Sequence, residues 1–190
     1  MVFHIQDILS NINKNDGILR TSHFTIMMPT SQVSGAPVGS ETLTMLADRV
    51  TIPGLDFMTV ENTYGGYGMH DRRPTLAQAT PQNCSIEFMV DGNSDMPDFF
   101  HKWMRKISGF TGAVKNTDDR DLFEYPINYW VDFDINHYRI DGEQIITYKL
   151  IRAFPISVQS IALNWADQNN LARLTVDFAF HTWTTDRLQE

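Results

Sequence analysis

Between Arg173 and Trp183 the chain admits few conformations. Leu174, Val176, Phe178 and Phe180 alternate with Arg173, Thr175, Asp177 and His181. A period of two sets one apolar face against a core and one polar face outward, which is a half-buried β-strand. A strand this regular needs a sheet beside it. Gln168-Asn169-Asn170 supplies turn residues just upstream, and Ile161, Leu163 and Trp165 are expected to begin the partner strand. The stretch from Tyr148 through Pro155 and Trp165 to Trp183 reads as strand, corner, strand, tight loop and long final strand. No part of this carboxyl-terminal stretch carries recognisable catalytic chemistry, so the function expected of it is its shape.

The rest of the chain repeats the pattern. Phe24, Ile26 and Met28 alternate up to Pro29, and Leu46 to Ile52 forms a second strand closed by Pro53-Gly54. Residues 30–42 are rich in Ser, Gly, Thr and Pro and read as a surface loop. Cys84, Ile86, Phe88 and Val90 make another strand, and Tyr129, Val131, Phe133 and Ile135 one more. Asp141-Gly142 sets the hairpin to a run from Ile145 to Leu150. One helix is expected: Ser94 and Asp95 at its cap, Pro97 and Asp98 in its first turn, and Phe99, Phe100, Trp103, Met104 and Ile107 as one apolar stripe. Residues 55–80 hold Tyr64-Gly65-Gly66-Tyr67-Gly68 and His70-Asp71-Arg72-Arg73-Pro74, a protruding hairpin or flap. Residues 1–17 place Phe3, Ile5, Ile8, Leu9 and Ile12 near helical spacing, as a short helix, a frayed terminus or an arm that docks on a neighbour. The class is mainly β: an antiparallel β-sandwich or barrel with one flanking α-helix and an extended flap, all within one domain over 1–190 whose tail is 184–190.

Charge and cysteine content exclude several functions. A net charge of −8 opposes gripping of a nucleic-acid backbone, although it suits a surface that nucleic acid must pass without sticking. One cysteine, Cys84, rules out a disulfide framework or a multi-cysteine zinc site. No run of eighteen apolar residues is present to span a membrane, and Met1 to Asp7 lacks the pattern of a secretory signal. Asp132, Asp134, Asn136 and Glu143 match positions of a calcium loop, but His137 replaces its glycine and the alternation is that of a strand. Cys84 with His137 or His181 as a nucleophilic pair is opposed by its place in an alternating strand, where a small apolar residue is the ordinary explanation. The expectation is no enzyme activity, no cofactor and no metal. Residues 116–143 hold eight acids (Asp118, Asp119, Asp121, Glu124, Asp132, Asp134, Asp141, Glu143) against Arg120 and Arg139. They make either a solvated face or a negatively charged inner wall.

In order and spacing these elements resemble the tail tube proteins of contractile-tailed bacteriophages and related injection machines, over residues 20–184. The residues that carry it are Phe24-Thr25-Ile26, Val50-Thr51-Ile52-Pro53-Gly54, Tyr64 to Pro74, Cys84-Ser85-Ile86-Glu87-Phe88 before Phe99-Phe100-His101-Lys102-Trp103, and Phe154-Pro155-Ile156-Ser157-Val158 with Leu163-Asn164-Trp165 and Phe178 to Trp183. The resemblance implies a subunit joined edge to edge into hexameric rings that stack as the inner tube of a virion tail, assembled in the host cytoplasm. It implies tail sheath, tape measure and baseplate or terminator proteins as partners, and passage of double-stranded DNA without membrane insertion of its own. Its flap residues Tyr64, Gly65, Gly66, Tyr67, Arg72 and Arg73 become the expected contact between rings. Asp132, Asp134 and Asp177 are the candidates for an acidic lumen. A tube-initiating baseplate ring and a ring-forming carrier of a bacterial injection system share the same core and stand as alternatives.

Overall fold

The computed structural model describes residues 10, 14, 18–30, 39–54, 57–64, 69–78, 83–108, 123–164 and 170–188. The expected amino-terminal helix or arm, the flap tip Gly65–Gly68, the stop at Gly109, most of the acidic stretch 111–125 and the turn at Gln168-Asn169 lie outside them.

Nine strands and two α-helices are described: β1 (Phe24–Met27), α1 (Ser40–Leu46), β2 (Ala47–Val50), β3 (Phe57–Tyr64), β4 (Met69–Gln78), β5 (Cys84–Met89), α2 (Asp95–Ser108), β6 (Val131–Tyr138), β7 (Gln144–Val158), β8 (Arg173–Ala179) and β9 (Thr182–Thr185). Seven strands form one antiparallel sheet in the order β1-β6-β7-β8-β5-β2, with β9 also on β7. β3 and β4 make a separate two-stranded hairpin.

β7 holds the architecture together. Its first ten residues pair with β6, and Tyr148–Ile151 also pair with β9; Phe154–Val158 pair instead with β8. Between these parts the register slips and Arg152 adopts φ 55. That left-handed angle is costly for a residue with a Cβ. Three contacts hold it: the Arg152 N–H donates to Asp132 Oδ1 at 2.8 Å, the guanidinium lies 5.3 Å from the Trp130 ring, and the His181 N–H donates to the Ile151 carbonyl. The strand turns a corner here, so its inward-facing residues change from even numbers (Leu150) to odd ones (Ala153, Pro155). The final strand breaks at the same level, which is why the single strand expected over 173–183 is two, β8 and β9.

Bent at β7, the sheet closes on one core. Phe133 of β6 meets Phe178 of β8 at 5.4 Å, and Phe178 also packs edge-on to Phe100 at 6.0 Å. The strand contacts follow from the alternation: Val131, Phe133 and Ile135 face in from β6, Leu174, Val176 and Phe178 from β8, Cys84, Ile86 and Phe88 from β5. α2 lays Met96, Phe99, Phe100 and Trp103 over this core, and the Trp103 indole N–H donates to the Tyr129 carbonyl at 3.0 Å, so the largest core side chain leaves no donor unpaired. One of its amino-terminal N–H groups, that of Met96, donates to the Asp91 carboxylate at 3.3 Å. Ser94, expected as the cap, sits at φ 58 and contributes its backbone carbonyl to Asp98.

Two other expectations are corrected. Residues 40–42, read as the end of a loop, and Leu46, read as the start of a strand, belong to α1: Leu43 is buried, and Thr44 Oγ1 donates to the Ile26 carbonyl. Ile161 and Leu163 do not begin a strand, and Trp165 lies outside the described residues; Leu163 is 87% exposed, and β5 and the end of β7 flank β8 instead.

Candidate assembly interface

A strand edge offers unpaired N–H and C=O groups to any chain that can align with it. Among the described residues, β2 pairs only with β5, the Phe154–Val158 end of β7 only with β8, and β9 only with β7. Among the described residues, the β7-β8-β5-β2 half of the sheet thus ends in an open edge on each side. The edge at β1 is treated differently: α1 lies against it, and Thr44 occupies the Ile26 carbonyl.

The outward face of that half-sheet is small and polar. Asp177 pairs with Ser85 on one side and Ser157 on the other, and Thr175 with Glu87. Glu87 sits between two cations, Arg49 and Arg173, each at 3.7 Å, and Arg173 reaches Asp48 at 3.4 Å. Partly exposed pairs of this kind contribute little stability singly, but together they hold a neutral patch across three strands. Nothing in the sequence flags these four residues, because single charges on separate strands meet only once the register is set.

The three candidates for an acidic lumen lie on different parts of the sheet. Asp177 lies on the β8 surface just described. Asp134 lies on the other half-sheet, opposite Lys149 and Met27, with a buried Oδ1 that accepts no hydrogen bond from the described residues. Asp132 is taken up at the corner, where it accepts the Arg152 N–H. Of the calcium-loop set, Glu143 pairs with Arg139 at 3.1 Å and Asn136 is buried, accepting from Thr147 Oγ1.

The expected flap is the β3–β4 hairpin, whose described strands pair with one another and not with the main sheet. Arg72 faces Glu61 across it, 2.6 Å from guanidinium to carboxylate, so this arginine is tied within the hairpin. Arg73 is exposed beside it, opposite Val60, and Tyr64 ends β3 opposite Met69. Gly65, Gly66 and Tyr67 fall outside the described residues. Met58 and Val60 add exposed apolar surface to the same hairpin, a signal masked in sequence by the neighbouring polar residues.

Cys84 is fully buried, and burial, helped by the Asp177 charge, pushes its thiol up to about 12. A thiol so placed is neither ionised nor reachable, which is the opposite of a nucleophile's environment.

No curated protein matches the chain in sequence. The fold, however, is shared with subunits of three solved assemblies. One is a sheath–tube complex of an extracellular contractile injection system (PVC) in its extended state, 15% identical, with 97% of this chain and 99% of that chain covered and a TM-score of 0.56. Another is the tube-terminating cap of the anti-feeding prophage, 16% identical over 89% of this chain and 91% of that one, TM-score 0.57. The third, in the anti-feeding prophage baseplate, is 11% identical over 89% and 96%, TM-score 0.54. In sequence, the pattern of the phage tail tube proteins matches residues 19–186. With nearly the whole described fold inside that match, the chain belongs to the phage tail tube protein family, whose members are structural subunits and not enzymes.

Proposed function

We propose that the chain is the structural subunit of the inner tube of a contractile phage tail, forming hexameric rings that stack into a tube for genome passage. The observation that carries this reading is the four-stranded half-sheet with an open edge at β2 and another at Phe154–Val158. Two different edges on one subunit join head to tail, and a head-to-tail contact repeated by rotation closes a ring. Pairing consumes the edges that would otherwise aggregate. The face of the half-sheet would then line the bore with Ser85, Ser157, Thr175 and Asp177, and with Glu87 neutralised by its two arginines. Small hydroxyls and a carboxylate give DNA phosphates nothing to hold, and the net charge of −8 repels them over distance. Asp177 is the lumen acid in this arrangement, while Asp132 and Asp134 serve the other half-sheet. The β3–β4 hairpin, with Tyr64, Gly65, Gly66, Tyr67, Arg72 and Arg73, contacts the next ring, and sheath and baseplate proteins take the outside and the end of the tube.

A second reading rests on the solved relatives: a tube complex, a terminating cap and a baseplate match the fold almost equally, with TM-scores of 0.56, 0.57 and 0.54. It is a single ring that starts or ends a tube, in a phage or in an injection system. Negative-stain microscopy of the purified protein separates the two. Long tubes of uniform bore support the tube subunit, isolated rings support the initiator or cap, and monomers at high concentration overturn both.

A further inference from the structure

The half-sheet with two open edges has an even number of strands, and that fixes the sense of a joint between copies. β2 runs against β5, β5 against β8, and β8 against Phe154–Val158 of β7. Three reversals leave β2 running opposite to Phe154–Val158. When rotation brings β2 of one copy beside Phe154–Val158 of the next, the two strands are antiparallel and the ladder continues unchanged. The outward face continues with it, because a slip of one residue would turn the hydroxyl face into the core. Outward side chains of β2 therefore come to lie beside outward side chains of the next copy's β7 and β8.

Charge is spread unevenly over that face. Arg49 stands on the open strand β2, its side chain 74% exposed and its guanidinium 3.7 Å from Glu87, the long end of an ion pair. Glu87 has a second cation in Arg173, also at 3.7 Å, so it does not depend on Arg49. Asp177 stands on β8, one strand in from the other open edge, and makes no ion pair among the described residues. Between Asp177 and that edge lies Ser157, too short to screen the carboxylate from a long side chain reaching over it. The reach from β2 of a neighbour is two strand spacings, roughly 10 Å. One ion pair within the subunit already covers that span: Arg173 on β8 crosses β5 to Asp48 on β2, at 3.4 Å.

We infer that Arg49 of one copy bridges the joint to Asp177 of the next, passing over Ser157. The inference rests on the ring reading and adds to it what selects the partner edge. Edge strands pair through backbone groups that any strand offers. A cation on one edge and a carboxylate behind the other favour β2 against β7, and they oppose β2 against β2, where two Arg49 side chains would meet.

The test uses two full-length single variants, Arg49→Glu and Asp177→Lys. Each sets like charges across the joint, and each should weaken association by about tenfold or more in sedimentation, while circular dichroism and the denaturation midpoint show a folded subunit. Mixed in equal amounts they should form rings again, because alternation around the ring returns opposite charges to every joint. An ion pair confined to one subunit cannot be restored by mixing. Folded single variants that assemble as the parent does, or a mixture that stays monomeric, overturn the bridge. If a reversed variant does not fold, Arg49→Gln and Asp177→Asn decide. Each should weaken association and its dependence on salt, and the two together should cost no more than one alone; additive losses overturn the bridge. The two readings fail distinguishably. Rings of the parent with an unrestored mixture remove the bridge and leave the ring, whereas a parent monomeric at every concentration removes both.

Discussion

Asp132 shows how far one side chain's role depends on its neighbour in space. Its alternation on β6 marks it as solvent-facing, and it is exposed, but its carboxylate holds the left-handed Arg152 in place. Asp132→Ala should cost about 1–2 kcal/mol, the usual loss for a hydrogen bond to a charged acceptor at a partly hydrated site. Asp132→Asn, which keeps an acceptor, should cost less than half of that in a urea titration. Phe178 sits where both half-sheets and α2 meet, and Phe178→Ala should cost about 3–5 kcal/mol. Thr175→Ala, on the outward face of the same strand, should leave the midpoint almost unchanged; equal shifts would mean that the faces of β8 are reversed. Cys84 makes stability depend on alkaline pH. Its thiol is raised from 9.0 to about 12, first by burial and then by Asp177. Between those values the unfolded chain has lost a proton that the folded chain keeps. Stability is therefore full below pH 9 and falls as the pH rises towards 12. Cys84→Ala should flatten that limb of the pH profile, and thiol labelling of the native protein at pH 8 should follow global unfolding.

At the scale of elements, the β3–β4 hairpin and the main sheet are separable. The hairpin's cross-strand pairs, including Glu61 with Arg72, are internal to it. A chain lacking Gly65–Arg73 should thus keep its β-rich circular dichroism and its denaturation midpoint within about 1 kcal/mol, since few surface changes exceed that. Sedimentation should show rings or monomers and no long tubes. Normal tubes from the shortened chain would place stacking elsewhere. α1 works in the other direction, as a guard: buried Leu43 and the Thr44 hydroxyl hold it on β1, while among the described residues β2, β9 and the end of β7 keep a free edge.

For the whole molecule, the proposed ring makes the open edges the working surface. Ile156 lies on the edge part of β7 and is 41% exposed. A charge on an edge strand blocks pairing with little effect on the fold. Ile156→Lys should yield a folded subunit that stays monomeric at concentrations where the parent assembles, read by analytical ultracentrifugation. Assembly at the parent's rate would exclude this edge from the ring contact. The same substitution at Leu163, exposed and off the sheet, is the control.

The strands β5, β6 and β8, the helix α2 and the inward set around Phe178 were all legible from the chain alone. Each is a local period of two or 3.6 imposed by a face turned to one core. The Asp141-Gly142 hairpin was legible for the same local reason: Gly142 takes φ 89, which glycine accepts without strain. Only the tertiary structure decided which strands are neighbours, because alternation fixes a face but not a partner. It therefore decided that Asp132, Asp134 and Asp177 part company, that Glu87 falls between Arg49 and Arg173, and that α1 rather than a loop covers β1. It also decided where the sheet stops. An open edge is the absence of a neighbour, and no residue in a sequence encodes that by itself.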